Sequence, residues 1–305
     1  MAVAPTDVRL TEQPLVPQGA VAEESVAGLE YRRFGPFHRW AHFFVMASFT
    51  ILVFTGMPLK YKDAGWAGTL MGFFGGVQAA GVYHRIAALI LVACVVCELL
   101  YFARYIVGRR GPLWGPGTIV PTRRDWSDMK AMYRWFFGLG PKPLGFDRYT
   151  YWEKFEFWAA SGGVMTMVAT GFILWFPVQV ARFLPGIFLN LAMVNHAGGA
   201  LLAMGFVFVF WHVFHAHFRP EVFPFDKAMF DGTLPATEYA EERTLEYQRR
   251  VRTGTLSEVL IEPAGPNRKA LENIVWWAIT LVAMVVWTIF AVFTAWITLL
   301  WIGVI

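Results

Sequence analysis

Charge is scarce in this 305-residue chain. Only 16% of residues are Asp, Glu, Lys or Arg, against the roughly 25% usual in soluble domains. That shortfall argues against one large water-soluble domain, as does a 56% hydrophobic content gathered in runs instead of alternation. Cysteine is nearly missing too. The two present, Cys94 and Cys97, sit one helical turn apart and are followed by Glu98. Covalent haem attachment needs C-x-x-C-H, and zinc needs more ligands than this pair supplies, so both read as buried thiols. There is no Gly-rich phosphate loop, no internal repeat and no nucleic-acid motif to give the net charge of +4 a nucleic-acid meaning. The first thirty residues lack the basic start and apolar stretch of a secretory signal. They read as a flexible cytoplasmic tail with Pro and Gly and no helical period.

Apolar length, by contrast, is abundant. Five runs, 40–59, 82–107, 155–177, 187–214 and 271–305, are each near or above the roughly 20 residues a helix needs to cross the hydrocarbon core. The expected fold is all-α and transmembrane: a four-helix core plus a fifth C-terminal helix. The chain then divides into a tail over 1–30, a core over 31–217 that includes a loop at 108–151, a connector over 218–270, and a last helix over 271–305. Basic residues orient it. Eight lie between spans two and three (Arg109 to Arg148) and eight between spans four and five (Arg219 to Lys269). The other side has Lys60, Lys62 and Arg182. The positive-inside rule then puts the N-terminus in the cytoplasm and the C-terminus outside, in a multi-pass inner-membrane protein.

Histidine is the informative residue. An ionisable side chain in a span is a functional hypothesis by default. On this topology His42, opening span one, and His212, near the end of span four, share the cytoplasmic level. His84, opening span two, and His196, near the start of span four, share the outer level. The orientation used only Lys and Arg, yet it pairs all four histidines by depth. Two pairs at two depths suggest two bis-histidine b haems stacked across the bilayer. His196 and His212 are sixteen residues apart, about 24 Å along a helix and about 160° around it. That phase leaves His215 and His217 open as alternative ligands, and a π-bulge would also correct it. Gly198, Gly199 and Gly205 fit either close packing or close approach to a macrocycle.

The stretches RWAHFFVMASFTILVFTGMPL, YHRIAALILV, YTYWEKFEFWAASGGVMTMVATGFILWFP and LNLAMVNHAGGALLAMGFVFVFWHVFHAHFRPEVFP together resemble the dihaem cytochrome b subunits of formate dehydrogenases, thiosulfate reductases and nickel–iron hydrogenases. The likeness runs from about Arg32 to Pro224. It implies haem iron held by His42 with His212 and by His84 with His196. The family's usual fourth-span spacing is shorter than sixteen. The resemblance further implies exchange with the quinone pool (menaquinone or ubiquinone) and a partner subunit bearing iron–sulfur clusters or c-type haems, docked on the outer face.

Other residues carry two readings each. His215, His217 and Arg219 suit haem propionates or a quinone head group, or else an interfacial cluster meeting lipid phosphate. Arg39 is a propionate partner or a positive-inside anchor, and His38 reads as interfacial. Glu98 follows His84 by fourteen positions, on nearly the same helix face and about 21 Å deeper. It is a candidate for proton exchange with quinone, or an interhelical hydrogen bond. The loop 108–151 suggests a surface-lying amphipathic helix from Asp125, with Trp126, Met129, Tyr133 and Phe137 on one face. The connector, partly helical over 238–252, reads as scaffold or docking surface. Trp276, Trp277, Trp296 and Trp301 belt the fifth run. The expectation is a membrane electron-transfer subunit of a quinone-linked oxidoreductase. A self-contained transmembrane b-type carrier and a proton or metal transporter are the alternatives.

Overall fold

The computed structural model describes residues 26–108, 111–143, 145–205, 211–218, 222–223 and 226–263, with scattered positions between 271 and 299. Strand β1 (Glu30–Arg32) leads into α1 (Pro36–Lys60). A short α2 (Gly65–Phe73) turns the chain into α3 (Val77–Val107). Then come α4 (Arg123–Phe136), α5 (Tyr151–Trp175), the one-turn α6 (Pro177–Val180) and α7 (Ile187–Met204). A π-helical turn at Phe214–Phe218 precedes α8 (Ala228–Asp231), β2 (Thr233–Pro235), α9 (Ala236–Glu242), α10 (Thr244–Thr253) and β3 (Leu260–Ile261). Helices α1, α3, α5 and α7 are each long and apolar enough to cross a membrane. The expected fifth span lies largely outside the described residues.

Local chemistry explains the helix starts. Pro36 occupies the first turn of α1 after an extended Gly35, where its missing N–H costs nothing. Thr150 and Glu153 form a reciprocal cap at α5: the Glu153 amide donates to the Thr150 hydroxyl at 3.2 Å, and the Thr150 amide to the Glu153 carboxylate at 2.7 Å. Between α2 and α3, Gly75 and Gly76 take φ of 81° and 94°, a left-handed pair that only glycine adopts without strain. It reverses the chain directly ahead of His84. Helix α1 packs on α3, with further contacts to α2, α7 and α8, while α5 packs on α7 and α4. A small apolar cluster of Val53, Met57 and Met204 joins α1 to α7.

At the end of the bundle where α1 begins, a three-stranded antiparallel sheet of order β2–β1–β3 draws together segments from both sides of the four spans. Tyr31 faces Leu234 on one side and Leu260 on the other. Its buried ring stacks on Tyr239 with centroids 3.6 Å apart. Buried Glu246 accepts from the Tyr31 hydroxyl at 3.3 Å, from Arg148 at 3.4 Å and from Arg250 at 3.0 Å. Arg243 meets Glu153 through two hydrogen bonds of 2.9 and 3.0 Å, and Arg33 adds a third at 3.3 Å. The sheet is thereby fastened to the first turn of α5.

Several sequence boundaries shift. The tail expected over 1–30 and the connector over 218–270 are one folded unit where described: Val26 is buried and packs with Tyr31, Ala236 and Tyr247. Pairing across the length of the chain left no periodic signal to read. Span three starts at Tyr151 and ends at Trp175, because the Thr150 cap and Phe176 bound it. The described α-helix of span four runs over Ile187–Met204, and the stretch 206–210 toward the expected end at 214 lies outside the described residues. The amphipathic α4 starts two residues before Asp125, and Phe137 is its C-cap instead of a face residue. Lys154, buried at the start of α5, holds it through Asp125 at 2.8 Å.

Asp147 is bound by Arg249 through contacts of 2.5 and 2.7 Å. Burial pushes its carboxyl up, but the Arg249 hydrogen bonds and the Arg148 amide outweigh that and leave it below the usual range. A depressed carboxyl adds stability above its unfolded value of about 3.9 and loses it as pH falls through the folded value. The wild type should therefore lose melting temperature more steeply than Asp147→Asn as pH drops below about 4. Thermal melts of the detergent-purified protein across pH check this, and parallel acid limbs would refute it.

Candidate functional site

The four span histidines meet as two pairs. His42, in the second turn of α1, lies opposite His212 beyond α7, with ring centroids 6.1 Å apart. His84, in the second turn of α3, faces His196 of α7 at 6.3 Å. The first pair is at the sheet end and the second at the far end.

Neighbouring helices hold three of these rings by Nδ1. Thr55 Oγ1 lies 2.9 Å from His84 Nδ1, and Thr170 Oγ1 lies 3.1 Å from His196 Nδ1. Each hydroxyl already donates to a carbonyl of its own helix, Thr55 to Ile51 at 2.6 Å and Thr170 to Thr166 at 2.7 Å. Each oxygen must therefore accept a proton from Nδ1. That tautomer leaves Nε2 with its lone pair. The residue after each threonine is glycine, and the reason is steric. A Cβ at Gly56 would stand 3.1 Å from His84 Cε1, and one at Gly171 would stand 3.2 Å from His196 Cε1. His212 is held differently: its Nδ1 pairs with the Glu156 carboxylate of α5.

The spacing can be tested against a metal. A metal–imidazole bond of about 2 Å on each side, plus about 1 Å from nitrogen to ring centre, sets two axial rings about 6 Å apart. Both pairs match. Among the described residues no group of three or more His, Cys, Asp or Glu converges as a metal cage. Two opposed imidazoles suit an iron that brings its other four ligands in a macrocycle.

The remaining candidates sort by position. His215 donates from Nδ1 to the Trp211 carbonyl at 3.0 Å, and its ring lies against Trp211 at 4.6 Å. It is held by its own turn, and His212 is the ring that faces His42. Residues 206–210 between the two histidines, Arg219, and the side chain of His217 lie outside the described residues. Arg39 Nε donates to the Phe230 carbonyl at 2.6 Å, and Phe230 sets its ring edge-on to His42 at 6.2 Å. Glu98 lies 3.9 Å from His38 Nδ1, at the His42 end of the bundle. Tyr101 stacks on Phe37 at 4.7 Å and meets His38 edge-on at 4.9 Å.

Sequence reasoning missed Glu156 and the two Thr–Gly pairs. Glu156 lies inside an apolar run, where a carboxylate is a signal in itself. The repeated Thr–Gly in FTGMP and ATGFI becomes meaningful only once the facing imidazoles are known.

Membrane-length helices presenting opposed imidazoles, with Glu98 and not histidine after the Cys94–Cys97 pair that covalent attachment would use, define an integral membrane cytochrome of the b type. The match to known families places it further. The chain belongs to the family described as prokaryotic cytochrome b561, whose profile covers residues 33–232, and is a membrane electron carrier of haem b. The matched stretch holds all four histidines, Glu156 and both Thr–Gly pairs. No curated protein matches the chain.

Valine at Gly56 or Gly171 should push the facing imidazole from its seat. We expect Gly56→Val and Gly171→Val each to lower haem b per chain in a pyridine-haemochrome assay, with His38→Ala unchanged. Full haem content in both glycine variants would show that the imidazoles do not rely on these positions.

Proposed function

We propose that the chain carries two b haems, one between His42 and His212 and one between His84 and His196. Through them it passes electrons across the membrane between the quinone pool and a partner redox subunit. The observation that carries this reading is the pair of imidazole couples, each spaced for axial ligation and at opposite ends of the bundle. When bound, the haems supply two one-electron iron couples, and the protein supplies axial nitrogens, orientation and local charge. The sixteen residues from His196 to His212 span about 24 Å as a helix, most of the roughly 30 Å hydrocarbon core.

The basic residues flanking the sheet end support a reading in which it, and the N-terminus, face the cytoplasm of an inner-membrane protein, with the C-terminus outside after a fifth span. Quinone chemistry is read at the cytoplasmic end. A quinol gives up two electrons and two protons there, and His38 and Glu98, one helical turn beyond His42, are groups able to take protons. The aromatic wall of Phe37 and Tyr101 supplies a flat apolar surface for a ring. His215, His217 and Arg219 are assigned to propionate or interfacial contacts. A partner bearing iron–sulfur clusters or c-type haems would dock at the outer end, near His84 and His196.

Haem stoichiometry tests the proposal. About two b haems per chain are expected in the wild type, with His42→Ala, His84→Ala, His196→Ala and His212→Ala each losing one haem or the fold. A folded wild type holding a single haem would overturn it. Rapid reduction by ascorbate with no copurifying subunit would favour a self-contained carrier.

A further inference from the structure

The two imidazole couples differ in the side chains beside their rings. At the far end the Nδ1 protons of His84 and His196 go to threonine hydroxyls, which are neutral and whose own protons are committed to helix carbonyls. The residue next to His84 is Arg85, whose guanidinium lies 5.9 Å from the Trp175 ring. At the sheet end the Nδ1 of His212 pairs with the side chain of Glu156. Among the described residues Glu156 has no lysine or arginine partner. Arg39 is on the same end, but it is tethered to the Phe230 carbonyl and reaches neither imidazole through a hydrogen bond.

A carboxylate accepting the Nδ1 proton draws electron density toward Nε2 and makes the ligand more basic. A basic ligand beside a negative charge favours ferric over ferrous iron, because oxidation adds a positive charge. A nearby arginine does the reverse. Both effects are magnified in the low dielectric of a bundle interior.

We propose that Glu156 and Arg85 split the reduction potentials of the two haem positions, making the His42–His212 position the lower and the His84–His196 position the higher. This rests on the two-haem reading above. When bound, two haems at these positions would exchange an electron with no bond made or broken, and the charges of Glu156 and Arg85 would set its preferred side. The fold thereby favours electrons at the end remote from the sheet. Glu156 and Arg85 act as positioning residues of charge and touch no substrate.

Potentiometric titration of the full chain, followed at the haem α-bands, tests this. Two one-electron waves are expected in the wild type, and His84→Ala should retain the lower one. Glu156→Gln should raise the lower wave and leave the upper in place, and should alter one low-spin ferric signal in electron paramagnetic resonance. Arg85→Gln should lower the upper wave alone. The proposal is overturned if His84→Ala retains the upper wave, or if haem-replete Glu156→Gln leaves both waves unmoved. Should Glu156→Gln fail to hold haem, the Arg85→Gln shift and the wave order in His84→Ala still decide the matter. A wild type with fewer than two haems would overturn the two-haem reading itself, a result visible in stoichiometry before any potential is measured.

Discussion

The hydrogen bond from an imidazole Nδ1 to the neighbouring helix is the contact on which the rest of the site depends. It does three things at once. It fixes the tautomer, so that Nε2 is the nitrogen able to meet iron. It fixes ring rotation, which sets the two couples at 6.1 and 6.3 Å. It also dictates how closely the helices approach, since Gly56 and Gly171 leave room for the ring edge. Spans α1 and α5 therefore have a shared task at the far end: each presents a Thr–Gly step to a histidine on the helix it packs against.

The sheet end has a different logic. Glu153 caps α5 and also binds Arg33 and Arg243, so one carboxylate ties a helix start to both chain segments of the cytochrome's small sheet unit. Glu246 does the same between Tyr31, Arg148 and Arg250. Buried ion pairs add little net stability compared with apolar packing, yet losing one partner is costly. They specify which segments meet, and at this end of the bundle that fixes where α1 and α5 begin, and with them His42 and Glu156.

Much of this was legible in the residues. Apolar run length located α1, α3, α5 and α7, because membrane thickness sets a length that composition reveals directly. Histidine depth grouped His42 with His212 and His84 with His196 before any contact was known, because loop charge and helix direction are both one-dimensional properties. Contacts at a distance in sequence were not legible. Neither the partnership of Tyr31 with Leu234 and Leu260 nor the seat of His84 on Thr55 leaves a periodic trace. Helix phase misled as well: an ideal turn put His212 off the face of His196, yet its ring lies 6.1 Å from that of His42.

Strand β1 pairs with a strand about two hundred residues downstream, Tyr31 with Leu234. At a synthesis rate of about 5–20 residues per second, β1 waits on the order of ten to forty seconds for its neighbour. During that interval all four spans leave the ribosome, and the edge of β1 has nothing to pair with. The sheet can therefore close only after the last of the four helices has been synthesised. A chain truncated within α7 would keep an open β edge and an unstacked Tyr31, the exposed features by which proteases and chaperones distinguish unfinished proteins from finished ones.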